Sequence, residues 1–164
     1  MAPTADALIA ELGLQPHPEG GFYREIYRSP LTLDGLPHGA PRQALTGIYF
    51  LLTAGTFSAW HRVRSDEVWH HYQGDPVLLH VIVDGKLTSH RLGQDILAGE
   101  RPQIVVPADA WQAAEPIGDR YALCGCNVAP GFDFADFEMP AAADLAAQLR
   151  EHAVIARRLG RQAL

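Results

Sequence analysis

The 164 residues suit one domain with a sizeable core, and 48% hydrophobic with 20% charged content speaks against disorder. A net charge of −6 speaks against a basic phosphate-binding surface, and so against nucleic acid as a partner. No apolar run approaches the roughly 20 residues that span a bilayer, and Met1–Leu14 holds Asp6 and Glu11 but no basic residue, unlike a signal or transit peptide. The expectation is a cytoplasmic protein with no membrane partner.

In chain order, Ala5 to Leu14 reads as a short helix: Leu8, Ile9 and Leu12 form one stripe, Thr4 can cap it and Gly13 can help end it. HPEGGFYREIYRSP (17–30) breaks at Pro18, Gly20 and Gly21 and then alternates; residues 30–42, rich in Pro and Gly, read as a loop. From Ala44 come nine short apolar runs bounded by turn residues: 44–52, 56–63, 67–73, 77–83, 86–92, 103–107, 111–115, 121–128 and 134–139. Asp84-Gly85 is the strongest hairpin signal. Short strands at about ten-residue spacing, without intervening helices, predict an all-β sandwich or barrel. After Pro140 an Ala- and Leu-rich stretch predicts one or two helices up to Leu159, with Gly160 as a stop. With no repeat and no linker, residues 1–164 form a single domain, its barrel core at about 44–139 and a helical segment at 140–160. Arg150, Arg157, Arg158 and Arg161 fit a helix C-terminal charge preference. Cys124 and Cys126 share one strand face with Cα atoms about 6–7 Å apart, so buried thiols are expected rather than a disulfide.

The chemistry concentrates in GTFSAWHRVRSDEVWHHYQG (55–74). Residues of equal parity share a strand face, so Glu67, Trp69 and His71 point together. A tight turn at Arg64 to Asp66 is expected to bring His61 beside Glu67. His70 and Tyr72 face away, and Trp111 reads as outer packing. A carboxylate on a barrel's inner face is costly without a partner, and His61 is the obvious one. The expectation is that Glu67 orients the imidazole and raises its pKa, giving a general base near neutral pH. His17, His38, His80, His90 and His152 show no ligand spacing and read mostly as loop or surface residues.

The order of Gly55, His61, Glu67 and Gly74 resembles the first motif of the cupin superfamily, where two histidines and a glutamate usually hold a metal. His61 and Glu67 match; the second histidine position is Val63. GERPQIVVPADAWQAAE resembles the second motif, with Pro107 at its proline, Asp109 where glycine is common and Gln112 where a histidine belongs. HPEGGFYREIYRSP, IYFLL (48–52), WHRVRSDEVWHHYQGDP (60–76), PQIVVPADAWQAAEP (102–116) and CNVAPGFDFADFEM (126–139) together resemble the DUF985 (cupin_5) family, described as predicted sugar epimerases. The resemblance spans about Leu8 to Met139. It implies a double-stranded β-helix (a jelly-roll barrel with short helices at its ends), a dimer, and a small-molecule pocket like that of deoxysugar 3,5-epimerases. Exposed strand edges also fit a homodimer.

The candidate catalytic residues are therefore His61 and Glu67. Trp69, His71, Gln112, Arg24, Glu25 and Tyr121 are the candidate ligand-binding residues, with Arg24 and Glu25 crossing a barrel edge to complete a pocket and Tyr121 or Tyr49 as a second acid. The preferred chemistry is acid–base isomerisation or epimerisation of a sugar or other polar carbonyl metabolite, with no cofactor required: His61 takes a proton α to the carbonyl and Gln112 or a tyrosine polarises the oxygen. The alternatives are a divalent-metal enzyme (oxygenase or lyase) using His61, Glu67 and Gln112, with His71 as an optional further ligand, and a non-catalytic metabolite-binding barrel.

Overall fold

The computed structural model describes residues 2–162. Helix α1 (Ala5–Leu12) begins where the Thr4 hydroxyl accepts the Ala7 N–H and ends at Gly13, whose φ of 63° is the left-handed conformation glycine adopts without cost. Strands β1 (Gln15–Pro16) and β2 (Phe22–Arg28) follow, then a small hairpin of β3 (Thr32–Leu33) and β4 (Arg42–Gln43) inside the predicted loop. The main strands are β5 (Thr46–Thr53), β6 (Ser58–Val63), β7 (Asp66–Gly74), β8 (Val77–Val83), β9 (Lys86–Leu92), β10 (Gln103–Val106), β11 (Trp111–Pro116) and β12 (Tyr121–Ala129). Phe134–Asp136 forms a 3-10 turn and only Phe137–Glu138 (β13) is extended, so the last predicted strand is mostly not one. Helices α2 (Ala142–Gln148) and α3 (Ala153–Arg158) close the chain.

Two antiparallel sheets face each other, in the orders β1-β2-β5-β12-β7-β10 and β13-β6-β11-β8-β9. This is the expected double-stranded β-helix. The turn between β8 and β9 sits at Asp84-Gly85, both at positive φ (50° and 77°), as a two-residue hairpin with right-handed strand twist requires. Because β2 pairs with β5 from Phe22 to Arg28, the sheets begin well before Ala44.

Strand alternation sorts the side chains into three cores. Between the sheets lie Phe50, Trp69, Leu79, Leu92, Val106 and their neighbours. On the outer face of the six-stranded sheet, Leu8, Ile9 and Leu12 of α1 cover Leu51, Tyr121 and Leu123. On the outer face of the other sheet, Leu145, Ala156 and Leu159 cover Trp60, Ile82 and Trp111, and the Trp60 indole N–H donates to the Ile155 carbonyl at 3.0 Å. Burying these apolar faces at roughly 25 cal/mol per Å² is what holds both terminal helical segments on the barrel. Cys124 and Cys126 are buried free thiols. No helix among the described residues is long and apolar enough to cross a membrane.

Candidate active site

One end of the barrel interior stays open as a cavity of about 620 Å³. Its floor carries His17, Glu19, His61 and Glu67, and Arg24, Glu25 and Arg28 stand along β2. Four aromatic rings also line the cavity, those of Tyr23, Phe132, Phe134 and Phe137.

His61 projects inward from β6, while its neighbour Trp60 faces the helices. The expected hairpin neighbourhood with Glu67 does not form: β6 and β7 belong to different sheets, so the turn after Val63 carries the chain from one sheet to the other. The imidazole's direct contact is instead Glu19, with Nε2 at 3.3 Å from Oε2. Its Nδ1 lies 2.8 Å from the Ala59 carbonyl, which can only accept, so Nδ1 carries a proton. Nε2 is then either a lone pair or the second N–H of an imidazolium. Its 3.3 Å contact with Glu19 is favourable only with a proton on one of the two atoms.

Burial drives the electrostatics here. Desolvation pushes the Glu19 carboxyl up to about 8, against the Ser58 hydroxyl, which donates to Oε1 at 2.8 Å. Desolvation also lowers His61, opposed by the charge of Glu67 and the Ala59 hydrogen bond. The expected rise of the His61 pKa is therefore reversed, because the loss of water outweighs the carboxylate. His17 is lowered to about 4 by burial and by the proximity of His61. Its Nδ1 accepts the Glu19 backbone N–H at 3.2 Å, so the 3.5 Å approach to Glu19 Oε2 is not an ion pair at neutral pH.

Glu67 rises as well, first by desolvation, then by repulsion from Glu19; the His61 charge opposes the rise. It is held from behind. The Trp69 indole N–H donates to Gln112 Oε1 at 2.8 Å, which turns the Gln112 amide nitrogen to donate to Glu67 Oε2 at 2.7 Å. The Cys126 thiol also hydrogen-bonds Glu67, and burial with the neighbouring carboxylate keeps that thiol protonated.

The turn that brings in Glu19 has its own logic. The His17 N–H donates to the Gly21 carbonyl and the Gly20 N–H to the His17 carbonyl, both at 3.0 Å. The Ala59 N–H donates to the Glu19 carbonyl at 2.7 Å, pinning the turn to the strand that carries His61. Gly20, at φ 109°, packs against the Phe57 carbonyl where a Cβ has no room.

Of the expected site residues, the structure gathers His61, Glu67, Arg24 and Glu25 around the cavity. Trp69 and Gln112 lie beneath Glu67, so Gln112 has no free amide to polarise a substrate oxygen. His71 is buried elsewhere in the barrel, donating through Nε2 to the Asp75 carbonyl at 2.9 Å. Tyr121 faces outward beneath α1. The pocket places expected for these two are not found: Tyr121 shares its parity with the outer residue Leu123, and His71 lies one strand-repeat too far from the open end. His17 and Glu19 were not expected. The sequence signal was the Pro- and Gly-rich turn itself, an unusual place for a carboxylate to meet a barrel mouth.

The chain matches the family described as Cupin superfamily (DUF985) over residues 6–140. It belongs to that family. A hypothetical protein of Leishmania major superposes with a TM-score of 0.91 at 34% identity, covering 98% of this chain and 100% of that one. A Shewanella oneidensis protein gives 0.91 at 39% identity, covering 99% and 100%. An uncharacterised protein of Saccharomyces cerevisiae is 32% identical over 79% of this chain and 71% of its own length. Within the superfamily a metal is the usual occupant of these motif positions, and two of the four positions here, Val63 and Gln112, lack the usual imidazole. Val63 offers no lone pair, and both ends of the Gln112 amide are engaged by Trp69 and Glu67. Among the described residues no three His, Cys, Asp or Glu side chains converge as a metal site requires.

Proposed function

We propose that this cupin is a metal-independent isomerase or epimerase acting on a small polar carbonyl compound. The observation that carries the reading is the 3.3 Å approach of His61 Nε2 to Glu19 Oε2, beside a second buried carboxyl in an open cavity. Enolisation needs a base for the proton α to the carbonyl and an acid for the carbonyl oxygen. Glu67, when ionised, takes the α-proton; the C–H electrons form the C=C bond; the carbonyl oxygen receives the proton carried by the His61–Glu19 pair. Returning the proton to carbon reverses the step, and return to the other face or to a neighbouring carbon gives epimer or isomer. The raised Glu67 pKa makes it a stronger base than an exposed carboxylate.

The test is solvent deuterium uptake at the α-carbon across a panel of sugars and keto acids, followed by NMR. Uptake by the native protein after exhaustive chelation, lost in His61→Ala, supports the reading. Uptake that appears only when one equivalent of a divalent metal is restored sinks it and makes the metal enzyme the better account.

A further inference from the structure

We propose that the ligands of this cavity are small monocarboxylates, with Arg24 as the residue that selects for the negative charge and the phenylalanine wall receiving an apolar or planar body. The inference deepens the acid–base reading and rests on it only for calling such a ligand a substrate.

The argument is an inventory of charge around the cavity. Arg28 is fully engaged: its Nε and one terminal nitrogen hold Glu25 at 2.9 and 2.8 Å, and it also donates to Gln43 Oε1 and the Phe132 carbonyl. That cation and Glu25 cancel each other. Asp133 accepts the Ala135 N–H at 2.8 Å as the cap of the 3-10 turn. His17 is neutral at physiological pH. Arg24 alone among the cavity's cations faces no carboxylate: its single hydrogen bond runs from one terminal nitrogen to the Leu12 carbonyl at 3.1 Å. That bond anchors the guanidinium at the C-terminal end of α1, exposed at the cavity's rim and not inside the barrel, and leaves its remaining donors uncommitted.

An uncommitted guanidinium fits a carboxylate through two parallel N–H donors. A doubly charged phosphate monoester is the poorer match, because one cation faces it while Glu67 and Asp133 line the same cavity. Phe134 stays half exposed beside Phe132 and Phe137, with ring centroids 4.9 and 5.9 Å away, so the wall presents ring faces and edges to whatever enters.

The experiment is NMR titration of the intact protein with phenylpyruvate, its uncharged methyl-ketone counterpart phenylacetone, and phenyl phosphate. Phenylpyruvate should bind with shifts at the cavity residues. Arg24→Gln should weaken it about tenfold or more, Arg24→Lys should recover part of the loss, and phenylacetone should be indifferent to both. Equal affinity for the ketone and the acid, or phenyl phosphate binding as tightly as phenylpyruvate, overturns the proposal. Arg24-dependent binding of phenylpyruvate without deuterium uptake in the presence of any acid of the panel leaves the selectivity intact and counts against the isomerase reading instead.

Discussion

Two His–Glu pairs lie against the five-stranded sheet, one on each face, the inner fully buried and the outer partly so, and their difference is instructive. Inside the barrel, His61 meets Glu19 at 3.3 Å; outside, beneath α3, His80 meets Glu115 at 3.1 Å. The outer pair has an arginine. Arg158 donates to both Glu115 oxygens at 2.7 and 2.8 Å, and these bonds hold that carboxyl below its ordinary range. His80 is completed by Ser89 at 2.7 Å and, with burial lowering its pKa, the pair ties α3 to the sheet with its charge settled. The inner pair has no arginine, so burial outweighs the Ser58 hydrogen bond, and its carboxyl rises to about 8 instead of falling. Identical residue types thus give a fixed clamp in one place and a movable proton in the other. The guanidinium and the depth of burial together decide which.

Removing the imidazole breaks the comparison most severely. His61→Ala should cost about 10²–10⁴-fold in the rate of α-deuterium exchange, measured by NMR, with the fold retained by circular dichroism. Gly20→Ala attacks the same pair through the backbone. A Cβ at φ 109° against the Phe57 carbonyl should destabilise the protein by about 1–3 kcal/mol in urea denaturation, and displace Glu19.

Glu19→Gln sharpens the contrast through pH. The folded pKa of Glu19 lies above its ordinary 4.5, so its bound proton favours folding below about 4.5, and that advantage is lost as pH rises to about 8. Tm of the Gln variant should therefore decline less than that of the native protein across this interval. In the native protein, exchange activity should also fall above about pH 8 as the Glu19 proton leaves; a rate still rising there would remove Glu19 from the acid role. The smallest effect belongs to the clamp. Arg158 is about half exposed (51%), so Arg158→Ala should cost no more than about 1 kcal/mol, with exchange activity unchanged.

Much of the fold was legible because strands and caps are local. The parity of Glu67, Trp69 and His71 follows from the two-residue period, and their inward burial agrees with it. The Asp84-Gly85 turn and the Thr4 cap needed only their own side chains and φ angles. FADFEM misled because aromatic residues bounded by turn signals mimic a short strand, whereas Asp133 caps a 3-10 turn there and Phe134 and Phe137 line the cavity.

The amino-acid sequence by itself determined the family, the barrel, and the inward placement of His61 and Glu67, since each depends on short-range pattern. Only the tertiary structure decided what His61 touches. Its partner Glu19 is 42 positions earlier, in a turn whose place is set by the Ala59–Glu19 backbone bond, the Gly20–Phe57 packing and the sheet pairing of β2 with β5. The direction of each pKa likewise waited on the fold. Whether a histidine beside a glutamate gains or loses its proton depends on the water removed around both, and that is a property of the closed barrel rather than of any spacing along the chain.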